Sequence, residues 1–352
     1  MCGISGVVGL KNISELLFEG IRNLEYRGYD CGGVALMNKT HLIIKKDIGG
    51  VEEFYRKHNV LQQKSNIGIA HTRWATHGKV TQNNTHPFTS RNGNFAVVHN
   101  GIISNYRSLR DSLKKEGYKF SSETDTEVIA HLLEKFFKRD QNPEKALVKT
   151  LNLIEGTFAL AFICTYLPDQ IFCAKRESPL MIGIGDEIKF VGSDFNAFID
   201  HTKNAVILDD GEYAIVSRDS YVVKNITNQD EVTKPITKIE WDSETSKKKG
   251  YPHYMLKEIY EQPQTISNAL DLEPSGLEEV VEMFAKADSS YFLGVGTTFY
   301  VAKYAQYIFS ELAQEFIPSI SSDEFLTLAN VNKKTLVFAM SQSCLLYTSP
   351  SP

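Results

Sequence analysis

MCGISGVVGL (Met1–Leu10) sets a cysteine directly behind the initiator methionine and follows it with a glycine-punctuated apolar run. Order is usually weakest at a chain end, so a thiol there is either an incidental small residue or a group that needs the terminus. Removal of Met1, common where the next side chain is small, leaves Cys2 with a thiol and a free α-amine. That amine has a pKa of roughly 7.7–8.0 and can accept a proton near neutrality, and a terminal amine is a known base for a neighbouring nucleophile. One residue then supplies nucleophile and base together. Any residue left in front converts the amine to an amide and removes the base.

Behind Cys2, ISGVVGL reads as a strand. Asn12-Ile13-Ser14-Glu15 reads as a capped helix start, with Ile13, Leu16, Leu17, Ile21 and Leu24 at helical spacing. IGIAHTRWAT and NFAVVHNGII are apolar runs ending in polar, glycine-containing turns, as expected of buried strands that deliver side chains at their ends. Thr124 and Glu127 form a capping-box pattern ahead of a helix whose buried stripe is Val128, Ile129, Leu132, Leu133, Phe136 and Phe137. From Gly156 to about Asn225, short β-rich runs alternate with turn signals at Pro168-Asp169, Gly185-Asp186 and Asp209-Asp210-Gly211, which predicts hairpins in an antiparallel sheet. Strands, helices and strands again imply sheets sandwiched by helices.

The polar, Lys-rich stretch 228–250 is the expected linker. Beyond it, helical YPHYMLKEIYEQP, strand YFLGVG, a helix from about Phe299 to Gln314, and strands FIPSIS and TLVFAMS alternate as in a parallel α/β sheet.

With 352 residues, 42% of them hydrophobic, the chain is long enough for two domains. A net charge of -5, with no basic run longer than Lys247-Lys248-Lys249, argues against a nucleic-acid partner. No apolar stretch reaches bilayer length and no signal-peptide pattern opens the chain, so a cytosolic protein without a membrane partner is expected. The cysteines show no zinc-ligand spacing, and Cys31, Cys164 and Cys173 read as reduced small residues. No metal or cofactor is expected.

Several stretches offer groups to a reaction at Cys2. HNGII supplies the Asn100 amide and the Gly101 backbone N–H, a donor pair suited to a tetrahedral oxyanion; Asn-Gly is equally a common hairpin turn. HTRWATHG gathers Arg73, Trp74, Thr76 and two histidines, and an arginine there can grip a carboxylate with its planar fork. Asp125 can hold an ammonium or serve in helix capping. His71, His77 and His86 lack the spacing of a helical metal pair and read equally as hydrogen-bonded packing.

Cys2-Gly3-Ile4, LEYRGYD at Leu24–Asp30, HTRWATHG at His71–Gly78, HPF at His86–Phe88, HNGII at His99–Ile103 and SETDTEVIAH at Ser121–His131 together resemble the class II glutamine amidotransferase domain. That family belongs to the N-terminal nucleophile hydrolases. The resemblance implies an α+β chain: a four-layer αββα glutaminase domain over 2–227, a linker at 228–250, and a further domain after it. It implies Cys2 as the nucleophile forming a γ-glutamyl thioester, with Asn100 and Gly101 as the oxyanion hole. Arg73 then binds the glutamine carboxylate and Asp125 its α-amine. Thr76 and His77 line the pocket, Trp74 sits on the ammonia exit, and Arg27–Asp30 support the nucleophile. A glutaminase-like binding or regulatory module without turnover is the alternative.

YPHYMLKEIYEQP and FLGVGTTFYVAKYAQYIFSE resemble the linker helix and first sugar-isomerase (SIS) domain of the glutamine–fructose-6-phosphate aminotransferases. This implies a partial α/β parallel-sheet SIS domain over 251–343 and fructose 6-phosphate as ammonia acceptor. Gly296, Thr297, Thr298, Ser341, Gln342 and Ser343 lie at the sugar-phosphate site by this likeness, and full-length members are expected as homo-oligomers. After Ser343 the family pattern of a Gly-Glu-Thr turn gives way to Cys344-Leu345-Leu346-Tyr347. Residues 344–352 are therefore expected to be foreign to the family, and the chain to be a fragment retaining glutaminase chemistry.

Overall fold

The computed structural model describes residues 2–74, 79–240, 250–251, 254–270 and 274–341. The chain divides into two compact units, Met1–Lys249 and Gly250–Pro352.

In the first unit the strands are β1 (Gly3–Gly9), β2 (Cys31–Asn38), β3 (His41–Ile48), β4 (Ile67–Arg73), β5 (Phe88–Thr89), β6 (Phe95–Ile103), β7 (Gly156–Cys164), β8 (Leu167–Arg176), β9 (Met181–Gly185), β10 (Ile188–Gly192), β11 (Asn204–Ile207), β12 (Glu212–Ser217), β13 (Tyr221–Asn225) and β14 (Thr237–Lys238). They form an eight-stranded sheet, β14-β11-β9-β10-β1-β4-β2-β3, and a six-stranded sheet, β13-β12-β8-β7-β6-β5. Helices α1 (Ser14–Asn23) and α2 (Val51–Lys57) cover the first sheet, and α3 (Tyr106–Lys115), α4 (Glu127–Asp140) and α5 (Pro143–Leu153) cover the second.

Side chains alternate across each strand, so each sheet feeds two cores. Ile4, Val8, Ile67 and Ile69 of the first sheet meet Ala96, Val98, Ala159 and Ala161 of the second. On the outer faces, Val7 and Ala70 pack with Leu17, Ile21 and Phe54, while Phe95 and Val97 pack with Val128, Leu132 and Leu147. The result is the four-layer αββα arrangement of an N-terminal nucleophile hydrolase.

Local differences from the sequence reading have physical causes. The expected Pro168-Asp169 turn falls inside β8, because Cys164 pairs with Leu167 and the reversal is completed by Thr165 and Tyr166. The Asp209–Gly211 signal marks a crossover from β11 in the first sheet to β12 in the second, since the β-rich region is shared between both sheets. The expected capping box does not form. Thr126 occupies the N-cap of α4 without a side-chain bond to the helix backbone, and the Glu127 carboxylate instead accepts from the backbone N–H groups of Ser121 (2.8 Å) and Ser122 (2.8 Å). Part of the expected linker is ordered in the first sheet: Thr237 and Lys238 pair with Ala205 and Asn204, and Ile239 is buried beside them.

The second unit holds a parallel sheet in the order β16-β15-β17, built from β15 (Ser289–Gly294), β16 (Ser319–Ser321) and β17 (Thr335–Ala339). It is the partial α/β sheet expected of a SIS domain. Its helices span Tyr254–Leu270, Pro274–Lys286 and Thr297–Ile308. The first runs through Pro263 rather than stopping there, carrying a residue that donates no backbone hydrogen bond. The second was not anticipated from sequence. The described core of this sheet is small, centred on Phe292, Ala302 and Ile317.

Candidate active site

The two-residue period that builds the interlayer core also assembles the site at its end. Ile67 and Ile69 of β4 point between the sheets, so His71 and Arg73, two and four residues further along, fall on the same side. Ala96 and Val98 of β6 do likewise, which places Asn100 there too. Cys2 precedes β1 in phase with Ile4 and Val8. The three strands thus converge: Asn100 Nδ2 donates to the Cys2 carbonyl oxygen at 3.0 Å, and the Trp74 N–H donates to Cys2 Sγ at 3.4 Å. The thiol in turn reaches the Trp74 carbonyl at 3.7 Å.

Asn100-Gly101 is not the hairpin turn its sequence allows. Both residues lie inside β6, paired with Ala159 and Phe158 of β7. Gly101 has a φ of +130°, and a Cβ there would sit 2.1 Å from the Thr157 carbonyl oxygen. Two residues on, the Ile103 N–H donates to Asp125 Oδ2 at 2.7 Å. That contact removes the helix-capping alternative for Asp125, because its carboxylate is turned to β6.

The stretch Arg27–Asp30 braces the end of β4. A Cβ on Gly28 would lie 2.5 Å from the Trp74 nitrogen, so only glycine allows this approach. Arg27 forms an ion pair with Asp194 at 2.5 Å, and the Asp30 N–H donates to the Arg73 carbonyl at 3.1 Å. Arg73 itself is buried, in register with Cys31, and its guanidinium reaches the Lys79 carbonyl at 3.5 Å. Trp74 is 43% exposed and meets Tyr29 edge-on at 5.5 Å.

Burial pushes the Cys2 thiol up, outweighing the Trp74 N–H and the Arg73 charge that pull it down. Its environment therefore favours the protonated thiol over the thiolate. Cys164 and Cys173, buried in the cores, are pushed up to about 11 and about 12 and are inert.

Beneath Asn100 three buried histidines share one network. His71 Nε2 lies 3.0 Å from Asn100 Oδ1, and its ring packs against that of His86, tilted by 38° with centroids 4.0 Å apart. Thr126 Oγ1 bridges His86 Nε2 (3.1 Å) and His99 Nδ1 (3.0 Å). His71 and His86 were legible as packing candidates, whereas His99 was read only as the first residue of the HNGII motif. Thr126 was not singled out, because nothing in its sequence neighbourhood marks it.

Burial lowers the pKa of all three rings, that of His71 to about 3. An unfolded histidine titrates near 6.5, so below that pH the unfolded chain takes up a proton that the folded one refuses. Stability is fully present above about pH 6.5 and falls as the pH drops. At pH 5, His71 alone should cost about 2 kcal/mol relative to pH 7, with His86 and His99 adding in the same direction. Urea unfolding at pH 7, 6 and 5 measures this; a flat profile contradicts neutral buried rings.

In the second unit, Leu293 of β15 pairs with Ala339 of β17, so Gly296–Thr298 and Ser341 follow adjacent strands at one end of the sheet. Thr297 opens a helix, and the Thr298 hydroxyl donates to the Val295 carbonyl at 2.9 Å. Thr76, His77, Gln342, Ser343 and the tail 344–352 lie outside the described residues.

Residues 71–200 match the family model described as "Glutamine amidotransferase domain". Among curated proteins, "Glutamine--fructose-6-phosphate aminotransferase [isomerizing]" of Thermococcus kodakarensis is 42% identical over 348 residues, covering 97% of this chain and 57% of that protein. Proteins of the same description from Pyrococcus horikoshii (43% identical, 88% of this chain, 52% of the relative) and Clostridium tetani (36%, 97% and 57%) also match. The chain thus spans a little over half the length of these relatives. Of solved structures, the "allosteric regulatory enzyme of purine biosynthesis" aligns with a TM-score of 0.57 at 25% identity, over 64% of this chain and 49% of that one. A glutamine phosphoribosylpyrophosphate amidotransferase from B. subtilis aligns with a TM-score of 0.57 at 19% identity, over 94% and 69%, a likeness of fold.

Proposed function

The chain belongs with the glutamine amidotransferases, as a homologue of the glutamine–fructose-6-phosphate aminotransferases, and from that premise we propose that Cys2, freed by loss of Met1, hydrolyses glutamine through a thioester. The α-amine takes the thiol proton as Sγ attacks the side-chain amide carbon. The resulting oxyanion lies between Asn100 Nδ2 and the Gly101 N–H. The protonated amine then gives its proton to the departing nitrogen, which leaves as ammonia, and water cleaves the thioester to glutamate. Arg73 takes the substrate carboxylate and Asp125 the ammonium. Thr76 and His77 complete the pocket, and Trp74 borders the ammonia exit.

One observation carries this reading: the 3.0 Å bond from Asn100 Nδ2 to the Cys2 carbonyl, which holds an amide donor beside the nucleophile across two sheets. The raised thiol supports it, since a protonated sulfur needs the neighbouring amine. The test is glutamate release from free glutamine. Binding without release favours the non-catalytic alternative. Arg73→Lys, which loses the planar fork, should raise KM about tenfold with kcat little changed. An unchanged KM removes Arg73 from carboxylate binding.

The acceptor reading rests on the relatives' description. Ammonia from the glutaminase, within the expected span 2–227, goes to fructose 6-phosphate at a site to which residues 251–343 contribute. Gly296, Thr297, Thr298 and Ser341 are its phosphate contacts, with Gln342 and Ser343 beyond them. Backbone N–H groups and hydroxyls at strand ends beside a helix N-terminus suit a phosphate, and the clustering of these residues at one sheet end supports the assignment. No helix among the described residues is long and apolar enough to cross a membrane. We assign the reaction to the cytosol.

A further inference from the structure

We infer that His71 is a positioning residue for the oxyanion donor: its Nε2–H fixes the Asn100 amide in the orientation that presents Nδ2 to the reacting carbonyl. The inference rests on the glutaminase reading above and adds a residue to it.

His71 Nε2 stands 3.0 Å from Asn100 Oδ1 and 3.2 Å from the His99 carbonyl oxygen. A carbonyl oxygen only accepts, so this nitrogen carries the hydrogen whatever the amide does. With Nε2 protonated and the ring neutral, the amide is left one choice. Turned over, its NH2 would face the Nε2–H and its oxygen would face the Cys2 carbonyl, replacing two bonds by two repulsions. His71 Nδ1, buried and making no hydrogen bond, is the bare lone pair that this tautomer requires.

The ring is held in turn. His99 Nε2 lies 3.3 Å from the Thr157 carbonyl and so donates, which leaves His99 Nδ1 to accept from the Thr126 hydroxyl. The Thr126 oxygen is then free to accept from His86 Nε2, and the His86 ring packs at a tilt against His71. The Thr157 carbonyl thereby fixes the His99 tautomer, and the Thr126 hydroxyl passes that pattern on to His86, the ring packed against His71. Without such support the last torsion of an asparagine is broad, and a donor that wanders stabilises an oxyanion poorly.

The test is a cycle of His71→Leu and Asn100→Ala in the full chain, read as kcat and KM for glutamine hydrolysis. Alone, His71→Leu should lower kcat about 30- to 100-fold with KM within about threefold, and His71→Gln, which restores a donor, should recover most of the loss. In the Asn100→Ala background, His71→Leu should change kcat less than about twofold. The same loss in both backgrounds overturns the inference while leaving the glutaminase reading intact. An Asn100→Ala chain with unchanged kcat overturns the oxyanion assignment itself. Should His71→Leu fail to fold, nitrogen-15 NMR of the wild-type chain decides: an Nε2–H ring supports the inference, and an Nδ1–H ring overturns it.

Discussion

A Cys2→Ala chain is expected to release glutamate from glutamine at least about a thousandfold more slowly than the wild type while keeping its fold. In the proposed reaction the sulfur is the atom that bonds to the substrate carbon, and no other described cysteine can replace it, since Cys31, Cys164 and Cys173 are buried. The structural cost is small. Cys2 is half-buried and its thiol makes two long contacts with the Trp74 backbone, at 3.4 and 3.7 Å, so the loss of stability should stay below about 1 kcal/mol. Glutamate release and thermal unfolding, measured side by side, separate the two effects. Turnover within tenfold of the wild type would exclude thioester chemistry.

Gly101→Ala is expected to be the most damaging single methyl group in the site, at about 3–5 kcal/mol of folding stability and a loss of at least about a hundredfold in turnover. The added Cβ would stand 2.1 Å from the Thr157 carbonyl oxygen and 2.7 Å from its carbon, both backbone atoms of the paired strand. The backbone cannot rotate away as a side chain would, and φ of +130° is itself unfavourable for alanine. Relief requires β6 and β7 to separate locally, which displaces Asn100 on one side and the Ile103 anchor of Asp125 on the other. Chemical denaturation and glutamine kinetics on the same preparation measure both losses. A variant of wild-type stability would show that the strands tolerate the methyl group.

Much of this arrangement is visible in the sequence because it depends on counting by two. Ile4, Ile67, Ile69, Ala96 and Val98 declare one face of their strands, and the same count places Cys2, His71, Arg73 and Asn100. The six ordered motifs then specify the layers around them. Partner choice in the later strands was less legible, because β9, β10 and β11 are as apolar as β7, β8 and β12 while belonging to the other sheet. Local turn signals cannot tell a hairpin from a crossover, as at Asp209–Gly211. Capping patterns misled for a related reason: the Glu127 carboxylate has nearby donors at Ser121 and Ser122. The Thr126 bridge was invisible because it joins residues 40 and 27 positions away.

The alternation of β6 also limits how this segment can change in length over evolutionary time. One residue inserted between Phe95 and Asn100, with pairing to β7 kept, would turn the amide toward α4 and carry the His99 imidazole into the gap beside Cys2. Two residues would restore the facing but push the donor about 7 Å past the sulfur. Drift by insertion or deletion is therefore confined to connections outside the ladder, and the spacing from Phe95 to Ile103 behaves as a fixed gauge within which only side chains are exchanged.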